Sequence, residues 1–221
     1  MKVKDFKAIA KAFKLFGFSL YPTIRFVYLN FISNRIVRRG GYLYVFPNTL
    51  IRFKKGSQIL LYGDMLIGIP AVKGSKTSSR LVMQNSSCIE VKKRLELLEG
   101  CDIQMQKRGR LTVGQFHSNI GLEISCGSTI NIQEEVIAGR HVRIKDFNGH
   151  IVSYEGYPVS APVTIGNHTW LCTGCTINPG VTVGEGAVIA DNSNVINDIS
   201  PYSFNQGNPS VKVVDNVTFK I

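Results

Sequence analysis

Apolar and small residues recur at every sixth position over the last third of the chain. One register holds Ile165, Leu171, Ile177, Val183, Ile189 and Val195, and a second holds Val163, Thr169, Cys175, Val181, Ala187 and Ser193. Six residues is not a helical period, and the interspersed glycines also disfavour a helix. The period fits short parallel strands joined by tight turns, with three hexapeptides to each turn of a solenoid. We therefore expect both registers to point inward, with Gly166 and Gly184 supplying positive φ at the corners.

The same step continues upstream of residue 163. Ile120, Cys126, Ile132, Ala138 and Ile144 form one register, and Ile124, Ile130, Val136 and Val142 form the other. The next place in the first register is His150, fifteen residues before Ile165. Three residues beyond two hexads are therefore predicted to leave the solenoid as a loop at 154–158. Before residue 110 the period is noisy, so we expect early coils over 42–70 and irregular insertions near 70–100.

The first forty residues have a different pattern, with nine Lys or Arg and a single acid. Phe6, Ile9, Phe13 and Phe16 recur at three- and four-residue steps, which predicts one apolar face of a helix that Pro22 interrupts or restarts. A basic amphipathic helix with aromatic residues can lie on an anionic membrane surface. The alternative is that its apolar face packs on the main domain while its lysines stay in water.

These patterns predict a mainly β chain with an N-terminal helical segment. The expected divisions are a basic amphipathic segment at 1–40, a solenoid domain at 41–215 with a loop at 151–162, and a C-terminal tail at 216–221.

Composition narrows the classes of function. The 221 residues are 44% hydrophobic and carry a formal net charge of +11, which favours anionic partners. No apolar run reaches the ~18–20 residues of a membrane-spanning helix, and no apolar leader with a cleavage site is evident. Five cysteines at irregular spacing indicate reduced thiols. We expect a cytoplasmic protein, with the N-terminal segment as a candidate for peripheral contact with the inner face of the membrane.

Three segments of the C-terminal part resemble the hexapeptide-repeat acyltransferases. They are Val163-Thr-Ile-Gly-Asn-His-Thr-Trp170, Leu171-Cys-Thr-Gly-Cys-Thr-Ile-Asn-Pro-Gly180 and Gly207-Asn-Pro-Ser210. The resemblance covers about residues 115–215 and is strongest to the maltose, galactoside and capsule-sugar O-acetyltransferases. It implies a left-handed parallel β-helix, a homotrimer with active sites between neighbouring subunits, and acetyl-CoA as the acyl donor.

The segment Asp146-Phe-Asn-Gly-His150 resembles the part of these enzymes that carries the catalytic base. A hydroxyl that attacks a thioester must lose its proton, and histidine titrates close to neutral pH. His150 is therefore the predicted general base. Asp146 is the nearest carboxylate that could orient it, and Glu155 is a second candidate. His141 and His168 are weaker candidates for the base.

The donor site is predicted from the same resemblance. The matching positions are Trp170, Thr173 and Asp191, and a backbone N–H near Cys172 or Thr173 is a candidate oxyanion donor. Lys212 and Lys220 are the basic residues expected to meet the coenzyme A phosphates. The chain departs from the family pattern at Trp170-Leu171-Cys172, where the family usually has Trp-Ile-Gly, and at Ile189-Ala-Asp-Asn-Ser193.

The main hypothesis is acetyl-CoA-dependent O-acetylation of a sugar or polysaccharide hydroxyl. The alternatives are a trimeric solenoid that binds without catalysis and an N-acyltransferase that acts on an amino sugar. A zinc site is not expected, because the C-x-x-C of Cys172 and Cys175 lacks two further ligands. Cys175 should point inward and Cys172 outward. Nucleic-acid binding would rest on net charge alone, without a recognised motif, so no nucleic-acid partner is expected.

Overall fold

The computed structural model describes residues 3–150 and 159–220. It begins with helices α1 (Val3–Leu15) and α2 (Leu20–Val27), and a π-helical turn (Tyr28–Ile32) continues α2. The described strands are, in chain order, β1 (Ile36–Arg38), β2 (Leu43–Val45), β3 (Thr49–Phe53), β4 (Gln58–Leu61), β5 (Asp64–Ile69), β6 (Ser79–Met83), β7 (Cys88–Leu98), β8 (Asp102–Met105), β9 (Arg110–Ser118), β10 (Glu123–Cys126), β11 (Thr129–Ile132), β12 (Val136–Ala138), β13 (Arg143–Lys145), β14 (Val163–Ile165), β15 (Trp170–Leu171), β16 (Thr176–Ile177), β17 (Thr182–Val183), β18 (Val188–Ile189), β19 (Asn194–Val195), β20 (Ser203–Gly207) and β21 (Ser210–Asp215). Within the described residues, no helix has both the length and the apolar character needed to cross a membrane.

The strands form three parallel ladders that the chain visits in a fixed rotation. The first ladder contains β1, β4, β7, β9, β11, β14 and β17. The second contains β2, β5, β7, β9, β12, β15, β18 and β20. The third contains β3, β6, β8, β10, β13, β16 and β19. Because β7 and β9 are long enough to pass through the corner, each belongs to two ladders. The chain therefore wraps a core with three faces.

The spacing between paired residues explains where the sequence period is clear. Leu171 pairs with Ile189 and Ile177 pairs with Val195, so each of these coils takes three hexads. Nearer the N-terminus, Ile51 pairs with Leu81, and this coil has the length of five hexads. The early coils have longer and unequal corners, which hides the six-residue step there. Residues 79–98, expected to be irregular, form β6 and β7.

The inward registers form the core as the sequence predicts. The residues of both registers between 163 and 195 are at most 1% exposed. Ile120 is an exception among the upstream positions, because it lies half-buried in a turn while Leu122 fills the core beside it. The shift arises because the coils below residue 144 are longer than three hexads, so a strict six-residue count loses register there.

Gly166 and Gly184 have a different role from the one predicted, since neither adopts positive φ. A Cβ at Gly184 would lie 2.4 Å from the Pro201 nitrogen, and one at Gly166 would lie 2.6 Å from the Glu185 nitrogen. These glycines therefore allow close approach of the next coil. Other residues provide positive φ at this corner, namely Glu135, His168, Gly186 and Tyr202 in successive coils.

The loop that carries His150 is longer than the sequence count suggested. Ile144 of β13 pairs with Ile177 of β16, whereas a coil of three hexads would return to this ladder fifteen residues earlier. The chain between the third and the first ladder is therefore fifteen residues longer than a coil of three hexads requires, not three, and most of the loop predicted at 151–162 lies outside the described residues. Strand pairing resumes in register at β14. A count in hexads from Ile144 therefore assigned part of this loop to the solenoid.

Helices α1 and α2 cover the outer face of β2. Tyr42 and Tyr44 point outward under the helices, while Leu43 and Val45 point into the solenoid core. The buried residues of α1 are Asp5, Ala8 and Ala12. Of the predicted apolar face, Phe16 is buried, Ile9 and Phe13 are half-buried, and Phe6 is 62% exposed. The buried face is thus rotated, because the small alanines allow α1 to approach the aromatic residues closely.

Two buried polar groups fix this helical layer to the first coil. The Asp5 carboxylate accepts a hydrogen bond from the Tyr42 hydroxyl at 2.9 Å and pairs with Arg38 at 3.3 Å. The Asn30 amide accepts from the Leu43 N–H at 2.8 Å and donates to the Leu43 carbonyl at 2.9 Å. Asn30 thereby pairs with β2 as a neighbouring strand would.

We predict that Ile177→Ala destabilises the protein by about 2–5 kcal/mol, because it leaves a cavity between coils. The adjacent Thr176 lies on the outer side of the same strand, so Thr176→Ala should change the free energy of unfolding by less than about 0.5 kcal/mol. Urea denaturation followed by circular dichroism measures both. Equal effects of the two substitutions would contradict the inward assignment of this register.

Candidate active site

Two backbone hydrogen bonds join the two sides of the long loop between β13 and β14 at its base, here called the neck. His150 lies just beyond this neck. The Asn148 N–H donates to the Val159 carbonyl at 3.0 Å, and the Ala161 N–H donates to the Asp146 carbonyl at 3.0 Å. The His150 side chain is exposed. The neck fixes where the loop leaves the solenoid, so an imidazole two residues further on is presented at the corner between the third and first ladders. Glu155, the second candidate to orient the ring, lies outside the described residues.

Asp146 is fully buried and bonds to the coil below. Its two carboxylate oxygens accept the backbone N–H groups of Gly127 and Ser128, the second at 2.8 Å. Both oxygens are thus directed at the backbone at the base of the loop. In this arrangement Asp146 fixes the residues that lead to His150, which is a positioning role exerted through the backbone.

Trp170 lies on the opposite side of the solenoid. It projects from β15 on the outer face of the second ladder and is 39% exposed. The second ladder is the face opposite the corner that carries His150, because the chain visits three faces in rotation. One chain therefore does not bring the predicted base and the predicted donor wall together.

Trp170 belongs to an outward column that spans several coils. The strand register aligns Glu96 with His117, His117 with Ile137, and Ile137 with Trp170. Neighbouring strands in a sheet are about 4.8 Å apart, so this column extends over roughly 14 Å. Sequence reasoning did not associate Glu96 and His117 with the site, because the coils below Trp170 are longer than three hexads.

A cleft of ≈ 700 Å³ runs along the same face. The Arg94 guanidinium donates to Glu96 at 2.6 Å, and His117 Nδ1 lies 3.5 Å from the other oxygen of Glu96. Burial opposes ionisation of Glu96, but the hydrogen bond and charge of Arg94, aided by His117, lower its pKa below the usual value. The cleft thus contains an ionised carboxylate that pairs with Arg94 and lies beside the His117 ring.

The C-terminal tail closes the upper side of this cleft. The Phe219 ring stacks on His168, with centroids 4.4 Å apart, and lies 5.7 Å from Trp170. His168 Nδ1 is 3.3 Å from Glu135, and Nε2 is 3.0 Å from the Phe219 carbonyl. Both neighbours offer acceptor oxygens, so a ring nitrogen that carries a proton donates to the one it faces. His168 therefore holds the tail over the face of Trp170, and the tail's Lys220 lines the cleft.

Thr173 and Asp191 lie one coil apart at the exposed corner between the second and third ladders. The Asn192 N–H donates to the Thr173 carbonyl at 2.8 Å, which fixes the turn. The Cys172 N–H donates to the Ile189 carbonyl at 2.9 Å and so is already used within the stack. Among the described residues, the Thr173 N–H meets no acceptor, so of the two predicted oxyanion donors it is the available one.

The remaining candidates are placed elsewhere. Lys212 lies exposed on β21 and pairs with Asp215 at 3.0 Å. The His141 ring packs over Gly121, where an added Cβ would lie 2.4 Å from His141 Nδ1. Cys175 is buried and Cys172 half-buried, as strand alternation predicts. Burial raises the pKa of the Cys172 thiol to about 11 and that of Cys175 to about 12, so both are protonated at neutral pH.

Comparison with known proteins gives a consistent class. No family model matches the chain. The galactoside O-acetyltransferase of Escherichia coli K12 is 29% identical over 158 residues, which is 64% of this chain and 77% of that enzyme. A Staphylococcus aureus protein named as an acetyltransferase is 45% identical over 64 residues, which is 28% of this chain and 32% of that protein.

The solved structures add the fold. The polysialic-acid-specific acetyltransferase NeuO superposes with a TM-score of 0.59 at 18% identity, covering 84% of this chain and 88% of that one. Together the comparisons confirm the predicted resemblance to the hexapeptide-repeat acyltransferases. They also confirm that the chain is an acyltransferase.

We predict that Asp146→Asn destabilises the protein by about 1–3 kcal/mol, because the new amide NH₂ faces a backbone N–H and leaves it without an acceptor. Asp198→Asn is the matched control, since Asp198 accepts one backbone N–H at an exposed site. Urea denaturation compares the two variants. An Asp146→Asn protein as stable as the wild type would show that the carboxylate does not fix the base of the loop.

Proposed function

We propose that this chain is an O-acetyltransferase that transfers the acetyl group of acetyl-CoA to a hydroxyl of a sugar or polysaccharide. The observation that carries the proposal is the exposed His150 imidazole beyond a neck that Asp146 and strand pairing hold in place. The similarity to a galactoside O-acetyltransferase supports a sugar acceptor.

His150 is proposed as the general base of the transfer. Its unprotonated ring nitrogen accepts the proton of the acceptor hydroxyl while that oxygen attacks the thioester carbonyl. The tetrahedral intermediate then collapses, the C–S bond breaks, and the sulfur leaves with the proton from the imidazolium. The Thr173 N–H is proposed to donate to the oxyanion. Stabilisation of this charge is usually a large part of the catalysis of acyl transfer.

The donor is proposed to lie along the outer face of the second ladder. Trp170 offers a half-exposed ring as one wall, and Thr173 and Asp191 lie one above the other at the adjacent corner. Lys212 and Lys220 are proposed to meet the phosphates. Lys220 lines the cleft, whereas Lys212 would have to exchange its partner Asp215 for a phosphate.

The proposed working form is a homotrimer with sites between subunits. The support is geometric, since His150 lies at the corner opposite the face that carries Trp170. A second chain that places its His150 corner against this face completes the proposed site. We further propose that the coils wind as a left-handed β-helix, as the sequence resemblance to the hexapeptide-repeat acyltransferases implies.

The N-terminal segment is proposed to contact the membrane surface from the cytoplasmic side. Leu20, Ile24, Tyr28 and Ile32 follow one another at four-residue steps and are all more than half exposed. Lys7 and Lys14 project from the exposed side of α1. Apolar residues next to lysines are typical of helices that lie in the interface of an anionic bilayer.

The decisive test of the catalytic proposal is His150→Ala. We expect turnover to fall by about 10²–10⁴, the usual contribution of a positioned general base. Release of free thiol from acetyl-CoA in the presence of candidate glycans measures it. His141→Gln is the comparison variant for loss of a histidine at another corner, the one between the second and third ladders that also carries Thr173. Near-normal turnover of His150→Ala would remove His150 from the mechanism, and a wild type inactive on every glycan would favour the non-catalytic alternative.

A mixing experiment tests the site between subunits. His150→Ala and Trp170→Ala are each expected to be weakly active, because each lacks one side of the shared site. Trimers assembled from equal amounts of both should recover about a quarter of the wild-type turnover, since random assembly pairs an intact His150 with an intact neighbouring Trp170 at that frequency. No recovery in mixed trimers, with assembly checked by light scattering, would place the site within one chain.

A further inference from the structure

A second cleft, unconnected with the proposed catalytic groups, lies between α2 and the first strands of the third ladder. It has a volume of ≈ 640 Å³, within the range of about 300–1,000 Å³ that small-molecule sites occupy. Its walls come from α2, the starts of β3 and β6, and the turn before β8. The polar side chains that define its chemistry are those of Tyr21, Arg25, Ser78, Arg80 and Asp102.

Arg25 is the unusual group in this cleft. Its guanidinium is half-buried and donates to the Thr49 carbonyl at 2.8 Å. Among the residues that the structure describes, no carboxylate lies within ion-pair distance of it. Burial lowers the pKa of Arg25 below its ordinary value, with Tyr21 acting in the opposite direction. A partly desolvated cation without a counter-charge is costly, and an anionic ligand would remove that cost.

The negative group in the cleft is already neutralised. Asp102 accepts from Arg80 through both carboxylate oxygens, one at 2.9 Å, and from Gln104 at 3.0 Å. The remaining charge of these cleft residues is the positive charge of Arg25. The Tyr21 and Ser78 hydroxyls at the rim add neutral donors, so the polar lining suits an anion with several acceptor oxygens.

We propose that this cleft binds a phosphate group, with the Arg25 guanidinium as its main contact. Arginine presents parallel N–H donors that match two oxygens of a phosphate. The expected source is the headgroup of a lipid. Leu20 and Ile24, on the helix that carries Arg25, expose apolar side chains at the same end of the molecule. A phosphate in the cleft and an acyl or prenyl chain along these residues would form one amphiphilic site.

The proposal is independent of acetyl transfer and is tested by binding. Arg25→Gln removes the cation, and Arg52→Gln is the matched control, because Arg52 is an exposed arginine on β3 that does not line the cleft. Ser78→Asp places a carboxylate at the exposed rim and removes no hydrogen bond of the fold. It therefore remains informative if Arg25→Gln folds poorly, which thermal unfolding of each variant detects.

The probes are inorganic phosphate, followed by calorimetry, and phosphatidylcholine vesicles with or without phosphatidic acid, followed by flotation. We expect binding to phosphatidic acid vesicles to weaken about tenfold or more in Arg25→Gln and Ser78→Asp, and to be unchanged in Arg52→Gln. Leu20→Gln with Ile24→Gln adds no charge beside Arg25, so it should reduce flotation without changing calorimetric binding of phosphate.

The outcomes separate the sources of the phosphate. Flotation that depends on Arg25 supports a lipid headgroup. Arg25-dependent binding of inorganic phosphate with Arg25-independent flotation supports the cleft but assigns it to a soluble phosphate. Equal binding by the wild type, Arg25→Gln and Ser78→Asp in both assays would overturn the proposal. Acetyl transfer should be unchanged in Arg25→Gln, so failure here leaves the catalytic proposal intact.

Discussion

The parallel pairing of successive coils is the constraint on which the rest of the structure depends. Each strand must bond to the strand one coil before and one coil after, so an inward position in one coil lies above an inward position in the next. This requirement explains the branched residues of one register and the small residues of the other. It also explains Gly166 and Gly184, where the backbone of the following coil leaves no room for a side chain.

The same stacking distributes the candidate site over two sides of the molecule. A residue on the outer face of a coil is held in line with its neighbours above and below, as Trp170 is with Ile137 and His117. A residue in a loop between coils is held only at the loop's base. Asp146 supplies that base for His150 by binding two backbone N–H groups of the coil beneath. A rigid wall on one chain and a loop held at its base on another are well suited to a site assembled between subunits.

The sequence predicted the C-terminal coils almost residue by residue, because coils of three hexads make the inward positions strictly periodic. It predicted the early coils poorly, since corners of variable length change the count, as Ile120 and residues 79–98 illustrate. The helix face was also misjudged. The predicted apolar face was the one that carries Phe6 and Phe13, whereas α1 packs against Tyr42 and Tyr44 through Ala8 and Ala12.

Individual site residues were predicted from short motifs, and their partners were not. His150 and Trp170 stand within recognisable sequence patterns, whereas Glu96 and His117 reach the column of Trp170 only through strand register. Arg25 gave no sequence signal beyond its charge. Its significance comes from partial burial with no carboxylate neighbour among the described residues, which depends on the three-dimensional arrangement of α2 against β3.

The second ladder is covered at both of its ends, and this has a consequence for the protein's behaviour at high concentration. At the first coil, the Asn30 amide occupies hydrogen-bonding groups of Leu43. At the last, β21 turns back antiparallel against β20. Stacked coils with open ends would be templates for end-to-end growth into cross-β fibres, since an unpaired strand edge recruits further strands. On the second ladder the side-chain amide and the reversed strand act as terminators that disfavour pairing with a further chain.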